Sequence, residues 1–180
     1  MKMTRENTDI INRCREGDPK AQFLLYKNFS KAMYNIAIRF LNNNMDAEDI
    51  LQESFVKAFE NIKDLEDSRA FGSWLKRIVI NNCLTQLRKN KIYFEEITDY
   101  NFEDQVEENI FESIDPTYVH KAIKDLPEGS RTILILHALE GYKHREVAAM
   151  LNISESTSRT QYKRALSLLN KSLTRNVYVN

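Results

Sequence analysis

The chain has 180 residues, 42% of them hydrophobic and 29% charged, which supplies apolar material for one large or two small cores and argues against wholesale disorder. Gly 4 and Pro 3 are few for a turn-rich strand fold, and no apolar run approaches the length of a bilayer span. The opening stretch MKMTRENTDIINR lacks the apolar centre of a secretory leader, so the expectation is a helical protein of the cytoplasm without membrane insertion.

The net charge of zero hides a division. Residues 1–91 carry 16 bases and 12 acids, residues 92–118 carry 9 acids and no Lys or Arg, and residues 119–180 carry 10 bases and 5 acids. Two mildly basic modules joined by an acidic strap describe the chain better than its average does. Cys14 and Cys83 are isolated and the three histidines are scattered, which disfavours a disulfide framework and a zinc site. They read as structural residues, and no metal or cofactor is expected.

Residues 8–16 predict a short first helix. Asp18-Pro19 is a good start for the next, because Asp caps free amides and Pro is tolerated in the first turn. From there to Leu41, Leu25, Phe29, Met33, Ile36, Ala37 and Phe40 share one helical stripe, and Asn42-Asn43-Asn44 ends it. Asp46 is the expected cap of a further helix, with Asp49 three residues on in an approximate capping-box position. Leu51, Phe55, Ala58, Phe59 and Ile62 form its apolar stripe. A polar loop over 63–69 leads to a helix from about 70 to 89, whose core face begins Phe71, Trp74, Leu75, Ile78. Residues 1–91 thus predict a compact helical bundle.

Residues 92–117 hold the acids and several aromatics (Tyr93, Phe94, Tyr100, Phe102) without a sustained period, and read as an acidic, flexible linker. Pro116 opens a second module, residues 118–180, with short helices over 117–125, 128–139, 143–151 and 155 to about 174. Gly141 and Asn152 suit helix ends that need a left-handed residue.

The strongest local signal is Lys143-His-Arg-Glu-Val-Ala-Ala-Met-Leu-Asn-Ile-Ser-Glu-Ser-Thr-Ser-Arg. A helix with Val147, Met150 and Leu151 inward meets a three-residue turn, Asn152-Ile153-Ser154. Small Ala148 lets the two helices approach, Ile153 plugs the corner and Ser154 caps the second helix. Tyr162, Ala165, Leu166, Leu169 and Leu173 dock that helix and leave its first turns exposed. This is the pattern of a helix-turn-helix, whose second helix enters the major groove; an ordinary helical hairpin with a charged solvent face is the other reading.

Two further faces stand out. Asp49, Gln52, Glu53, Val56 and Glu60 lie opposite the Leu51/Phe55 stripe, either as a solvated face that complements the helix dipole or as a dock for a basic partner. Arg77, Asn81 and Arg88 fall on one side of the following helix, with Lys76 and Lys89 nearby, as suits a nucleic-acid backbone and exposed base edges. Trp74 reads as core packing rather than as a stacking platform.

Asp46-Ala-Glu48-Asp49-Ile-Leu-Gln52-Glu53-Ser-Phe resembles the polymerase-binding motif of the extracytoplasmic-function sigma factors. Phe71-Gly-Ser-Trp-Leu-Lys76-Arg77-Ile, Asn81 and Leu-Arg88-Lys89 resemble the segment that reads the −10 element. Leu126-Pro127, Arg131 and the run from Glu140 to Ser154 resemble the −35-reading domain. The resemblance implies an all-α protein of two small helical domains, with no enzymatic activity of its own. Core RNA polymerase would bind Asp46, Glu48, Asp49, Gln52 and Glu53. Unpaired −10 DNA would meet Arg69, Lys76, Arg77, Asn81, Arg88 and Lys89 as well as the 63–69 loop, and −35 DNA would meet Ser156, Thr157, Ser158, Arg159, Thr160, Lys163 and Arg164. An anti-sigma factor is a usual partner in the family. Two departures from the family pattern are Thr85, where an Asp is frequent, and Ser158, where an apolar residue is usual. The competing expectation is a stand-alone helix-turn-helix regulator with a dimerising or sensing bundle.

Overall fold

The computed structural model describes residues 5–89 and 116–177, which are helical throughout apart from turns and contain no strand. The chain divides into two compact units, Met1–Asn90 and Lys91–Asn180. The expected acidic linker, except for its last two residues, lies outside the described residues. Pro116 and Thr117 already belong to a helix.

In the first unit, α1 (Arg5–Arg15) ends at Gly17, whose φ of +83° is a left-handed turn that favours glycine. Asp18 caps α2 (Pro19–Leu41): its carboxylate accepts from the amides of Lys20 and Ala21 and from the guanidinium of Arg13. All of the expected α2 stripe, Leu25 to Phe40, is buried. The Asn run resolves differently from expectation. Asn42 takes the left-handed conformation that closes α2, so Asn43 and not Asp46 caps α3 (Asn44–Glu60), accepting from the amides of Met45 and Asp46.

Short 3₁₀ turns at Ile62–Asp64 and Ser68–Ala70 bury Ile62 and Leu65 and lead into α4 (Phe71–Lys89). Its buried face is Phe71, Leu75, Val79, Ile80, Cys83, Leu84 and Leu87; Trp74 and Ile78, expected in the core, are only half-buried. Helices α2, α3 and α4 close around an aromatic seam, with Tyr26 on Phe55 at 4.9 Å and Phe29 edge-on to Phe71 at 5.1 Å. Burial pushes the thiols of Cys14 and Cys83 up to about 11 and about 12, so both are protonated and unreactive at neutral pH.

The second unit is α5 (Pro116–Lys124), α6 (Glu128–Leu134), a π-helical turn (Ile135–Leu139), α7 (His144–Leu151) and α8 (Glu155–Val177). The π turn replaces the last part of the expected 128–139 helix, and Gly141 at φ +82° ends it. Ala122, Leu126, Leu134, Ala165, Leu169 and Leu173 form one core, in which α5 and α6 pack on the long α8. Arg131 is buried and donates to the carbonyls of Lys124 and Leu126, tying the α5–α6 turn to α6.

Candidate nucleic-acid interface

Asn152, at φ +55°, ends α7, and the Ile153 amide reaches back to the Ala148 carbonyl at 3.1 Å. Ser154 then caps α8 by accepting from the Thr157 amide at 3.0 Å, and its hydroxyl also bonds those of Ser156 and Thr157. At the start of α7, the Glu146 carboxylate accepts from the Lys143 amide at 2.7 Å. Val147 and Ala148 are the buried residues of α7; Met150 and Leu151, expected inward, are half-buried.

Two sides of α8 separate cleanly. Ser158, Gln161, Ala165, Leu169 and Leu173 are buried at helical spacing. Ser156, Arg159 and Lys163 are exposed and Thr157, Thr160 and Arg164 half-buried, so the outward face offers hydroxyls and cations to a groove. Arg159 pairs with Glu155 one turn earlier, which holds its guanidinium over the first turn in the free protein.

Ser158 leaves the set of outward candidates: it is fully buried, and its hydroxyl lies 3.0 Å from Nδ1 of His144 on α7. The polar residue in the family's usual apolar slot is thus matched by a polar partner across the helix pair. His144 in turn stacks on His137 at 3.9 Å, and Tyr162 meets both rings edge-on. The Tyr142 carbonyl, 2.8 Å from Nδ1 of His137, holds that nitrogen's proton. Burial, then the nearby His137 and Arg159, push the His144 imidazole below its ordinary value, with Glu155 acting in the opposite sense. A further buried pair escaped sequence reasoning: Ser130 on α6 donates to Gln161 on α8 at 2.7 Å. Its members lie 31 residues apart, beyond any local pattern.

On α4, Arg77, Asn81, Arg88 and Lys89 are exposed and Lys76 half-buried. Lys76 sits about a quarter-turn or more from the side shared by Arg77, Asn81 and Arg88, at roughly 100° per residue. Thr85, in place of the frequent Asp, spends its hydroxyl on the Asn81 carbonyl at 2.8 Å. Arg69 is 81% exposed at its side chain and pairs with Asp67 at 3.0 Å, which also holds the Asp67 carboxyl below its usual range. Beside this face lies a groove of about 330 Å³ lined by Lys57, Asn61, Asp64, Trp74, Ile78, Asn81 and Asn82. Trp74 therefore presents part of its ring to a polar-rimmed groove, where sequence reasoning placed it in the core.

On α3, Glu48, Asp49, Gln52, Glu53 and Glu60 are exposed and Asp46 half-buried. Val56 is 55% exposed in their midst, and Met45 and Phe23 are exposed at 76% and 65%. A second groove of about 430 Å³, between α2 and α3, is lined by Tyr26, Ser30, Lys31, Tyr34, Glu48, Leu51 and Gln52. The acidic side chains thus border apolar and aromatic surface, a composition suited to a protein partner with a basic rim.

Family models for sigma-70 region 2 and sigma-70 region 4 match residues 25–92 and 117–169. The RNA polymerase sigma factor SigV of Bacillus subtilis is 30% identical over 143 residues, covering 79% of this chain and 84% of that protein. The RNA polymerase sigma-H factor of Pseudomonas aeruginosa is 28% identical over 93% of this chain and 94% of its own length. Among solved structures, the sigma factor RpoE of Bartonella quintana, in complex with the anti-sigma factor NepR, superposes with a TM-score of 0.54 at 21% identity, over 84% of this chain and 95% of that one. CnrH in complex with the cytosolic domain of CnrY gives 0.52 at 22% identity, over 94% and 97%. The chain belongs to the RNA polymerase sigma factors, within their extracytoplasmic-function group.

Proposed function

We propose that this chain binds core RNA polymerase and directs it to promoters by contacting −10 DNA through its first unit and −35 DNA through its second. The observation that carries this reading is the division of labour between surfaces. One unit exposes a helix-turn-helix whose first turn is pre-ordered by Ser154, and the other pairs an acidic and apolar α3 face with a Trp74/Asn81 groove on α4.

In this reading Glu48, Asp49, Gln52 and Glu53, with Val56 among them, meet a basic surface of the polymerase; Asp46, half-buried in the first turn of α3, borders that surface. Arg77, Asn81 and Arg88 follow the separated −10 strand, with Arg69, Lys76 and Lys89 at the edges. Trp74 and Ile78 give an unpaired base an apolar wall while the exposed Asn81 offers its amide. Ser156, Thr157, Arg159, Thr160, Lys163 and Arg164 face the −35 duplex. The proposed domains are residues 1–91 and 118–180 with 92–117 between them. Among the described residues no helix is long and apolar enough to cross a membrane, and no group of three metal-ligating side chains forms. We assign the chain no reaction of its own, a place in the cytoplasm and, as a further partner, an anti-sigma factor.

Capture of core RNA polymerase by the full chain tests the reading. The Asp49→Lys/Glu53→Lys variant keeps its helical circular dichroism and loses that capture, because like charges set against a basic surface oppose docking. Wild-type capture by the folded double variant would remove this face from the interface.

A further inference from the structure

Lys57 occupies an unusual place. Its ammonium lies 2.7 Å from Oε1 of Glu53, on the proposed polymerase face, and 2.8 Å from Oδ1 of Asn82, on the wall of the α4 groove. Asn82 is buried and fixed from its other end, its amide nitrogen donating to the buried Ser54 hydroxyl at 2.9 Å. One end of the relay is therefore rigid. The other is an ion pair half-open to solvent, which a competing cation can take apart.

The charges around the groove make this consequential. Lys57 and Asp64 are the charged side chains that line it. While Glu53 pairs with Lys57, Asp64 is the uncompensated charge among the side chains that line the groove, and it opposes a phosphate there. When a basic partner engages Glu53, Asn82 keeps the ammonium at the groove wall and its charge is no longer compensated. We propose that Lys57 links the two faces: engagement of Glu53 releases the Lys57 charge into the Trp74/Asn81 groove and raises affinity there for single-stranded DNA. This rests on the assignment of the α3 and α4 faces made above. Linkage makes the effect reciprocal, so a strand in the groove strengthens the hold of the basic partner on Glu53 by the same factor.

The test uses the free full-length chain and a fluorescent oligothymidylate, with Glu53→Gln standing in for a Glu53 whose charge is occupied elsewhere. Glu53→Gln should bind the oligonucleotide about two- to fivefold more tightly at low salt, the range an exposed ion pair commands. Its logarithmic salt slope should steepen by up to about 0.7, as for one further neutralised phosphate on a single strand. Adding Lys57→Gln, which keeps a donor for Asn82, should erase the gain, and Lys57→Met supplies a second uncharged variant. Lys57→Arg in the Glu53→Gln background should retain the gain. Asp9→Asn removes an exposed acid of α1 that does not line the groove, and should have a much smaller effect.

A gain that survives loss of the Lys57 charge, a gain equalled by Asp9→Asn, or no gain at all overturns the link. Capture of core polymerase by the wild type is scored separately. A chain that captures polymerase without the Glu53→Gln gain loses the link alone. One that shows the gain but captures no polymerase keeps the link and loses the assignment of the α3 face.

Discussion

The two units solve the same packing problem with different materials. Among the described residues, α1–α4 bury Phe29, Phe40, Phe55 and Phe71 and, as polar residues, Ser54, Ser68 and Asn82. Helices α5–α8 bury aliphatic side chains and, with them, Ser130, Arg131, Thr132, Ser158 and Gln161. Length explains the contrast. Helices α2, α3 and α4 run 23, 17 and 19 residues, long enough for broad apolar faces to fix their arrangement. Helices α5, α6 and α7 run 9, 7 and 8 residues, and so few contacts leave their rotation under-determined. Buried hydrogen bonds are directional and supply what short apolar faces lack. The stability of the first unit should therefore depend on volume, and that of the second on partnership.

The largest effect belongs to the first unit. Phe71→Ala removes a fully buried ring between α2 and α4 and should destabilise α1–α4 by about 3–5 kcal/mol, measured by amide exchange in that unit. A loss no greater than that of an exposed substitution would break the contrast. In the second unit, Ser130→Ala removes a buried donor to the Gln161 carbonyl oxygen and should cost about 1–3 kcal/mol. Combining it with Gln161→Leu should recover part of the loss, because both polar members of the Ser130–Gln161 pair are then gone. Additive losses in the double-mutant cycle would show that volume governs this unit as well.

A smaller effect follows from His144. Its pKa is lowered in the folded chain and returns to about 6.5 on unfolding, so the unfolded state binds the proton more readily. Its contribution to the stability of α5–α8 is complete above that value and lost as pH falls through the depressed folded pKa. Denaturant titrations across mildly acidic pH should show this decline, and His144→Gln should flatten it. The smallest effect is expected at the surface of α3: Gln52→Lys should change stability by no more than about 0.5 kcal/mol while weakening capture of polymerase.

The same contrast explains what the sequence disclosed. Apolar periodicity exposed the whole α2 stripe and the docking side of α8 beyond Ala165, because large buried side chains repeat at helical spacing. It missed the burial of Ser158 and Gln161, whose partners stand 14 and 31 residues away and leave no local trace. Trp74 was misplaced for a related reason. Its stripe with Phe71, Leu75 and Ile78 is a valid apolar face, but the buried side of α4 runs from Phe71 and Leu75 round to Val79, Ile80, Cys83 and Leu84, which leaves Trp74 and Ile78 at its edge. Asp46 lost the cap to Asn43 because Asn42 spends itself on the left-handed turn, freeing the next Asn for the amides of α3. Three consecutive asparagines do not reveal which of them does which.

Both cysteines of the chain lie in α1 and α4, sealed within the first unit. Each carries a thiol that a maleimide or disulfide dye reaches only after its helix has come away from its neighbours. The wild-type protein thus contains an internal clock for the opening of one half of itself, with no engineered label and no background from the other half. Labelling rates, read alone and then with polymerase or DNA present, would time how firmly each partner clamps the bundle shut.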